Sequence, residues 1–148
     1  MGLRKELSVP GHYDQIRRLC AFVGEGAREA GFDDDAVFQV ELACDEACTN
    51  IIEHTYEGEG VGEIQVTWQI NTDLFTVIIR DYGPRFDPSG IPSPAVPPDL
   101  EDIEELPVGG LGVFFMRRLM DKVTFDYHQG KGNVLTMVKR RTQDEELP

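Results

Sequence analysis

The hydrophobic period of this chain changes near residue 63, and that change limits the folds it can adopt. Apolar residues recur at helical spacing over 12–30 and again over 33–54, which predicts two amphipathic helices. From Glu63 the period becomes two, and the apolar positions that alternate with polar ones are Ile64, Val66, Trp68 and Ile70. Such a segment is typical of a half-buried strand. The pattern therefore predicts helices packed on a sheet.

The rest of the chain extends this pattern to the order β-α-α-β-β-loop-α-β-β. The other predicted elements are strands at 7–9, 74–79, 123–127 and 134–138 and a helix at 113–120. Hairpin connections outnumber crossovers, so we expect a mostly antiparallel sheet with helices on one face, an α+β two-layer sandwich. The chain has 148 residues, which suits one domain spanning 1–148.

The charge balance narrows the choice of partners. Lys and Arg number 14 and Asp and Glu number 27, which gives a net charge of −13. This excess of acid disfavours nucleic acid and anionic membranes, because both are bound by neutralising phosphates with basic side chains. No apolar run suggests a membrane span, and the N-terminus lacks a signal core. The three cysteines, Cys20, Cys44 and Cys48, are expected to be free thiols in the cytoplasm rather than metal ligands.

Three clusters of residues could carry chemistry. On the second helix, Glu46 and Asn50 are four residues apart and point the same way; they form either a catalytic pair or a solvated polar face. Asp81 and Gly83 follow a buried strand, as either a ligand-binding turn or an ordinary one. The glycines at 109–112 precede the third helix, where free N–H groups can bind an anion.

A segment rich in proline and acid separates the second and third clusters. It spans about 87–108 and includes an acidic run between Asp99 and Glu105. A long segment without predicted helix or strand is either a surface loop or a functional lid.

With these clusters in this order, the sequence resembles the GHKL (Bergerat-fold) ATPases, and among them the bacterial anti-sigma-factor serine/threonine kinases. The family's N box matches 45–54, its first glycine box matches 81–88, and its second matches 109–112. The resemblance covers nearly the whole chain. Arg85 stands where many members have a second glycine, and no arginine precedes the glycines of the second box. Arg117 and Arg118 are alternative sources of positive charge or simple surface residues.

The resemblance implies a role for each matching residue. Glu46 would be the general base, and Asn50 would bind Mg²⁺ beside the phosphates of ATP. Asp81 would bind the adenine amine with support from Thr136, and Gly83 would make room for the nucleotide. The other residues implied to contact ATP are His54, Phe86, Gly109, Gly110, Leu111, Gly112 and Val113, and the segment 87–108 would be the ATP lid.

The resemblance also implies partners. It predicts that the chain is an anti-sigma factor, which phosphorylates an anti-anti-sigma (STAS-domain) protein and sequesters a sigma factor. It also predicts a homodimer. An alternative is a non-catalytic binding module of the same fold, in which nucleotide only changes the affinity for a protein partner. A further alternative is an unrelated α+β domain in which the three motifs are coincidental.

Overall fold

The computed structural model describes residues 2–86 and 110–141, and it confirms the α+β fold. The elements are β1 (Leu3–Pro10), α1 (Tyr13–Glu29), α2 (Asp34–Asn50), β2 (Glu63–Ile70), β3 (Leu74–Asp81), α3 (Gly110–Leu119), β4 (Lys122–His128) and β5 (Gly132–Arg140). Their order is the one that the change of hydrophobic period predicts. The predicted lid at 87–108 lies outside the described residues.

The five strands form one antiparallel sheet in the order β1-β2-β3-β5-β4. Alternate residues of each strand point to opposite faces, so one face of the sheet is apolar and the helices cover it. The largest fully buried side chains at this interface include Trp68, Phe75, Leu19 and Ile52. Burial of each such side chain contributes about 1.5–3 kcal/mol, which makes this interface the main source of stability.

Local signals set the junction between α1 and α2. Gly31 has a φ of 96°, a left-handed conformation that glycine adopts without steric cost, and it ends α1 as predicted. Asp33 then caps α2, because its side chain accepts a hydrogen bond from Ala36 N–H at 2.9 Å. The two helices pack side by side. The Sγ atoms of Cys44 and Cys48 are buried there, 3.9 Å apart.

The structure differs from the sequence prediction at several boundaries, and the differences in β1, β5 and α2 have a clear physical cause. β1 begins at Leu3 rather than at residue 7, since every residue from Leu3 to Pro10 pairs with β2. β5 runs from Gly132 to Arg140, longer at both ends than the predicted 134–138, because it pairs with β3 along its length. The third difference is at the end of α2, where Ile51–Thr55 form a π-helical turn instead of continuing the α-helix to residue 54. Tyr56 N–H donates to the Ile51 carbonyl at 2.8 Å, an i to i+5 bond.

Within the described residues, no helix has the length and apolar character that would let it cross a lipid bilayer.

Candidate functional site

A cleft lies between the helical layer and the sheet. Residues from α2, the π-helical turn, β3, α3, β4 and β5 line it: Ala47, Asn50, Ile51, Thr55, Ile79, Asp81, Phe86, Met116, Phe125, Asp126, Asn133, Val134 and Leu135. Three predicted site residues, Asn50, Asp81 and Phe86, are among them. Segments far apart in sequence thus meet at one concave surface, the usual form of a small-molecule site.

Glu46 and Asn50 face the N-terminal turn of α3. A Cβ atom placed on Gly112 would lie 3.0 Å from Glu46 Oε2 and 3.2 Å from Asn50 Nδ2, so only glycine lets the helices approach this closely without adjustment. The first backbone N–H groups of an α-helix have no intrahelical acceptor. The structure therefore brings the first and third sequence clusters together, as the resemblance implies.

Asn50 Nδ2 is buried and has no hydrogen-bond partner among the described residues. A buried donor without a partner costs about 1–3 kcal/mol, so such an atom often marks a place where a ligand supplies the missing acceptor. The amide of Asn50 offers this donor together with a carbonyl oxygen of the type that Mg²⁺ accepts. The donor set of this end of the cleft therefore fits a metal-bound phosphate.

The Glu46 carboxyl group has a raised pKa. Its partial burial is the largest cause, and the charges of Asp45 and Glu53 add to the effect. All three factors disfavour the ionised form of Glu46. A carboxylate with a raised pKa takes up a proton more readily at neutral pH than a fully solvated one, which suits a general base.

Asp81 lies at the other end of the cleft and is 3 % exposed. Its Oδ1 accepts hydrogen bonds from Gly83 N–H at 2.9 Å and from Asn133 Nδ2 at 2.9 Å. Burial raises the pKa of Asp81, while these two hydrogen bonds lower it. The Asp81 carboxylate is therefore held in one orientation at the end of β3.

Gly83 follows Asp81 in a tightly packed turn. A Cβ on Gly83 would lie 2.6 Å from Thr55 Cγ2, so a larger residue would displace the π-helical turn. Tyr56 also stabilises this turn. Its hydroxyl donates to the Glu63 carbonyl at 2.6 Å and accepts from Tyr82 N–H at 3.0 Å. Gly83 therefore makes room for the side chains of Thr55 and Tyr56, and it is not part of the cleft lining.

Sequence reasoning missed the apolar walls of the cleft and Asn133. Phe86 and Phe125 form an aromatic pair with ring centroids 5.4 Å apart, and Ile79, Met116 and Leu135 complete the apolar lining. Apart from Phe86, which the resemblance implied, these residues occupy ordinary apolar positions of the predicted helix and strands. Asn133 lies just before the predicted strand at 134–138. Its place in the site depends on its pairing with Asp81 across β3 and β5, which the sequence does not show.

The structure corrects the placement of Thr136. It pairs with Ile78, whereas Asp81 pairs with Asn133, three residues earlier on β5. Because side chains alternate along a strand, Asn133 and Leu135 point into the cleft and Thr136 points to the opposite face of the sheet. Thr136 therefore does not contact Asp81 directly, whereas Asn133 does.

Other predicted residues lie beside the cleft rather than in its lining. His54 is half-buried in the π-helical turn with its Nε2 3.6 Å from Glu53 Oε1, while Ile51 and Thr55 line the cleft. The wider π turn rotates these side chains relative to an α-helix, which explains the difference. Val113 is 1 % exposed and packs in the core. Gly110 begins α3. Gly109 and the side chain of Leu111 lie outside the part of the chain that the structure describes.

Comparisons with known proteins agree with this geometry. The family model of the histidine kinase-like ATPase domain matches residues 9–139. The protein named serine-protein kinase RsbW from Bacillus cereus (strain AH187) is 30 % identical over 141 residues, which cover 95 % of this chain and 88 % of that protein. Its namesake from Bacillus mycoides (strain KBAB4) is also 30 % identical with the same coverage.

Solved structures agree on the fold. The catalytic domain of histidine kinase ThkA in one nucleotide-free form superposes with a TM-score of 0.54 at 16 % identity and covers 93 % of this chain and 98 % of that chain. A second nucleotide-free form gives a TM-score of 0.55 at 15 % identity, with 94 % and 99 % covered.

Proposed function

The chain belongs to the histidine kinase-like ATPase domain family, and we propose that it is an ATP-dependent serine/threonine protein kinase. The similarity to proteins named serine-protein kinase extends over nearly all of both chains. The observation that carries the proposal is the placement of Asp81 and Asn50 in the lining of one cleft, with Glu46 one helical turn from Asn50 and facing the first turn of α3. These residues offer a site for the base, a site for the phosphates and a proton acceptor, in that order.

In the proposed reaction, Glu46 takes the proton of a substrate hydroxyl. The hydroxyl oxygen attacks the γ-phosphorus of ATP, the bond between that phosphorus and the β–γ bridging oxygen breaks, and ADP leaves. Phosphoryl transfer depends mostly on positioning and on charge stabilisation. The raised pKa of Glu46 keeps a proton acceptor of useful strength at the edge of the cleft.

The triphosphate would lie between Asn50 and the first turn of α3. Backbone N–H groups at a helix N-terminus bind anions, so a chain of net charge −13 can hold a polyanion without a basic pocket. Mg²⁺, if held by the Asn50 side-chain oxygen, would supply charge neutralisation at the phosphates. The donor set of Asn50 and the close approach of Gly112 support this assignment.

The apolar middle of the cleft would hold the adenine ring. Phe86 and Phe125 offer aromatic faces, and Ile79 lies beside Asp81 in the cleft lining. A carboxylate accepts a hydrogen bond from the exocyclic amine of adenine, whereas the corresponding oxygen of guanine would be repelled. The proposal therefore includes a preference for ATP over GTP.

The partners are also part of the proposal. The phosphorylated protein would be an anti-anti-sigma protein with a STAS domain, and the chain would act as an anti-sigma factor that binds a sigma factor, as a homodimer. The similarity to proteins named RsbW supports this assignment.

The test is transfer of radiolabelled γ-phosphate from ATP to a STAS-domain protein from the same organism, with wild type compared with Glu46→Gln. We expect ATP binding by both proteins and transfer by wild type only, with a loss of at least about 100-fold in the variant. Equal transfer by the two proteins would refute the role of Glu46. Absence of ATP binding in a calorimetric titration would refute the kinase and favour a non-catalytic binding module.

A further inference from the structure

Both the nitrogen and the oxygen of the Asn133 side-chain amide form hydrogen bonds at one end of the cleft. Nδ2 donates to Asp81 Oδ1 at 2.9 Å and to the Pro84 carbonyl oxygen at 2.8 Å, and Oδ1 accepts from Phe86 N–H at 2.8 Å. Asn133 is 8 % exposed, so water does not compete for these bonds. A hydroxyl has only one hydrogen to donate, and it could not serve Asp81 and Pro84 together. The amide thus ties the end of β3 to the turn that follows it.

The other oxygen of Asp81 is left available. Oδ1 accepts from both Asn133 and Gly83, whereas Oδ2 makes no hydrogen bond with any residue in the described ranges. The carboxylate therefore cannot rotate without losing two bonds. Oδ2, which has no partner in the described ranges, thus belongs to a residue that lines the cleft.

We propose that Asn133 is a positioning residue for nucleotide recognition, which holds the Asp81 carboxylate through Oδ1 and leaves Oδ2 turned toward the amine of the base. This inference rests on the proposed function, because it assigns the cleft to ATP. Asn133 acts through Asp81 and does not contact the base. It also holds Phe86 N–H, so the aromatic wall and the carboxylate keep a fixed spacing.

Ionisation is the part of this role that a purely structural residue would not have. Burial favours the protonated form of Asp81, and the hydrogen bonds from Asn133 and Gly83 oppose it. Without the Asn133 donor, the pKa of Asp81 rises further, and the carboxyl group keeps its proton at a higher pH. A protonated carboxyl group accepts a hydrogen bond from an amine less strongly than a carboxylate does.

The experiment measures the ATP dissociation constant of three variants of the full chain by calorimetry between about pH 4.5 and 8.5, a range that begins near the ordinary pKa of a carboxyl group. Each constant is divided by the wild-type value at the same pH, which cancels the titration of ATP itself. Asn133→Leu removes the amide with little change of size, and Asn133→Asp keeps the shape of the side chain. Thr67→Val is the matched control, since it removes a strand side-chain hydrogen bond, to Glu6 at 3.3 Å, outside the cleft lining.

For Asn133→Leu we expect a ratio of at least about 10 that grows as the pH falls, because a charge-assisted bond is lost and Asp81 protonates earlier. For Asn133→Asp we expect the opposite slope, since at lower pH the two carboxyl groups share a proton that replaces the amide donor. For Thr67→Val the ratio should stay near one at every pH.

Two results separate the possible failures. If wild type binds ATP and both Asn133 variants give ratios that do not change with pH, this inference is overturned and the proposed function stands. If wild type does not bind ATP, the proposed function is overturned and this inference with it. Because Asn133→Asp preserves side-chain shape, its opposite slope remains measurable even where Asn133→Leu fails to fold.

Discussion

Substitution of Gly112 by alanine should separate stability from activity in this protein. Gly112 is buried in the first turn of α3, and its Cα faces Glu46 and Asn50. The added methyl carbon would lie 3.0 Å from Glu46 Oε2 and 3.4 Å from Asn50 Oδ1. Carbon and oxygen prefer contacts of roughly 3.5 Å or more, so Glu46 must move by about half an ångström.

The expected change in stability is small. Alanine in place of glycine favours a helix by up to about 1 kcal/mol, which offsets the cost of the crowding. Glu46 is only half-buried, so its flexible side chain can swing toward solvent. We expect the free energy of unfolding to change by less than about 1 kcal/mol, equivalent to a shift in melting temperature of at most about 4 °C for a domain of this size.

The expected change in activity is large. A misplacement of about 1 Å in a catalytic group can cost roughly 100-fold in rate, so a displacement of half that size should cost about 10-fold or more. The methyl group would also occupy space between α3 and Asn50 that the proposed phosphates need. We therefore expect kcat/KM for phosphotransfer to fall about 10- to 100-fold and the affinity for ATP to weaken with it.

The assay pairs thermal unfolding with phosphotransfer and ATP titration on the same preparation. Phe115→Ala is the control, because Phe115 lies on the same helix, is 37 % exposed and is not part of the cleft lining. It should leave ATP affinity within about 2-fold of wild type. A Gly112→Ala variant with wild-type affinity and rate would show that the close approach of α3 to α2 has no part in binding or catalysis.

Four further results are expected. The raised pKa of Glu46 means that the transfer rate should fall on acidification at a higher pH than for a solvated glutamate, and a rate that stays flat to pH 4 would contradict this. A raised pKa also means that the ionised form of Glu46 destabilises the folded protein at pH values above the pKa of the unfolded state. At pH 7, Glu46→Gln should therefore melt at a temperature no lower than wild type, which calorimetry can measure. Tyr56→Phe should lower the free energy of unfolding by about 1–3 kcal/mol in urea, because Glu63 and Tyr82 lose a buried partner. Removal of divalent cations with EDTA should abolish transfer, and Mg²⁺ should restore it.

Much of the fold follows from local patterns in the sequence. The helical spacing of apolar residues and the later alternation are sufficient to predict the described α-helices and strands, though not the π-helical turn, because burying an apolar stripe or face is the main driving force of folding. Gly31 and Asp33 end and begin helices through their own backbone and side-chain preferences. Glu46 and Asn50 could be paired from sequence alone, since residues four apart on a helix point the same way.

The other parts of the site depend on how distant segments meet. Strand register decides that Asn133 rather than Thr136 contacts Asp81, and a shift of one residue would reverse every side chain of β5. The π-helical turn brings Thr55 into the cleft, and a local helical wheel does not contain it.

The elements, their order and the residue types available for chemistry can be predicted from the sequence, because they depend on contacts between near neighbours in the chain. Which of those residues face each other depends on tertiary packing. The close approach of Gly112 to Asn50 and the bond between Asn133 and Asp81 join residues more than fifty positions apart. Their geometry is fixed by packing and by strand register, which are properties of the folded chain.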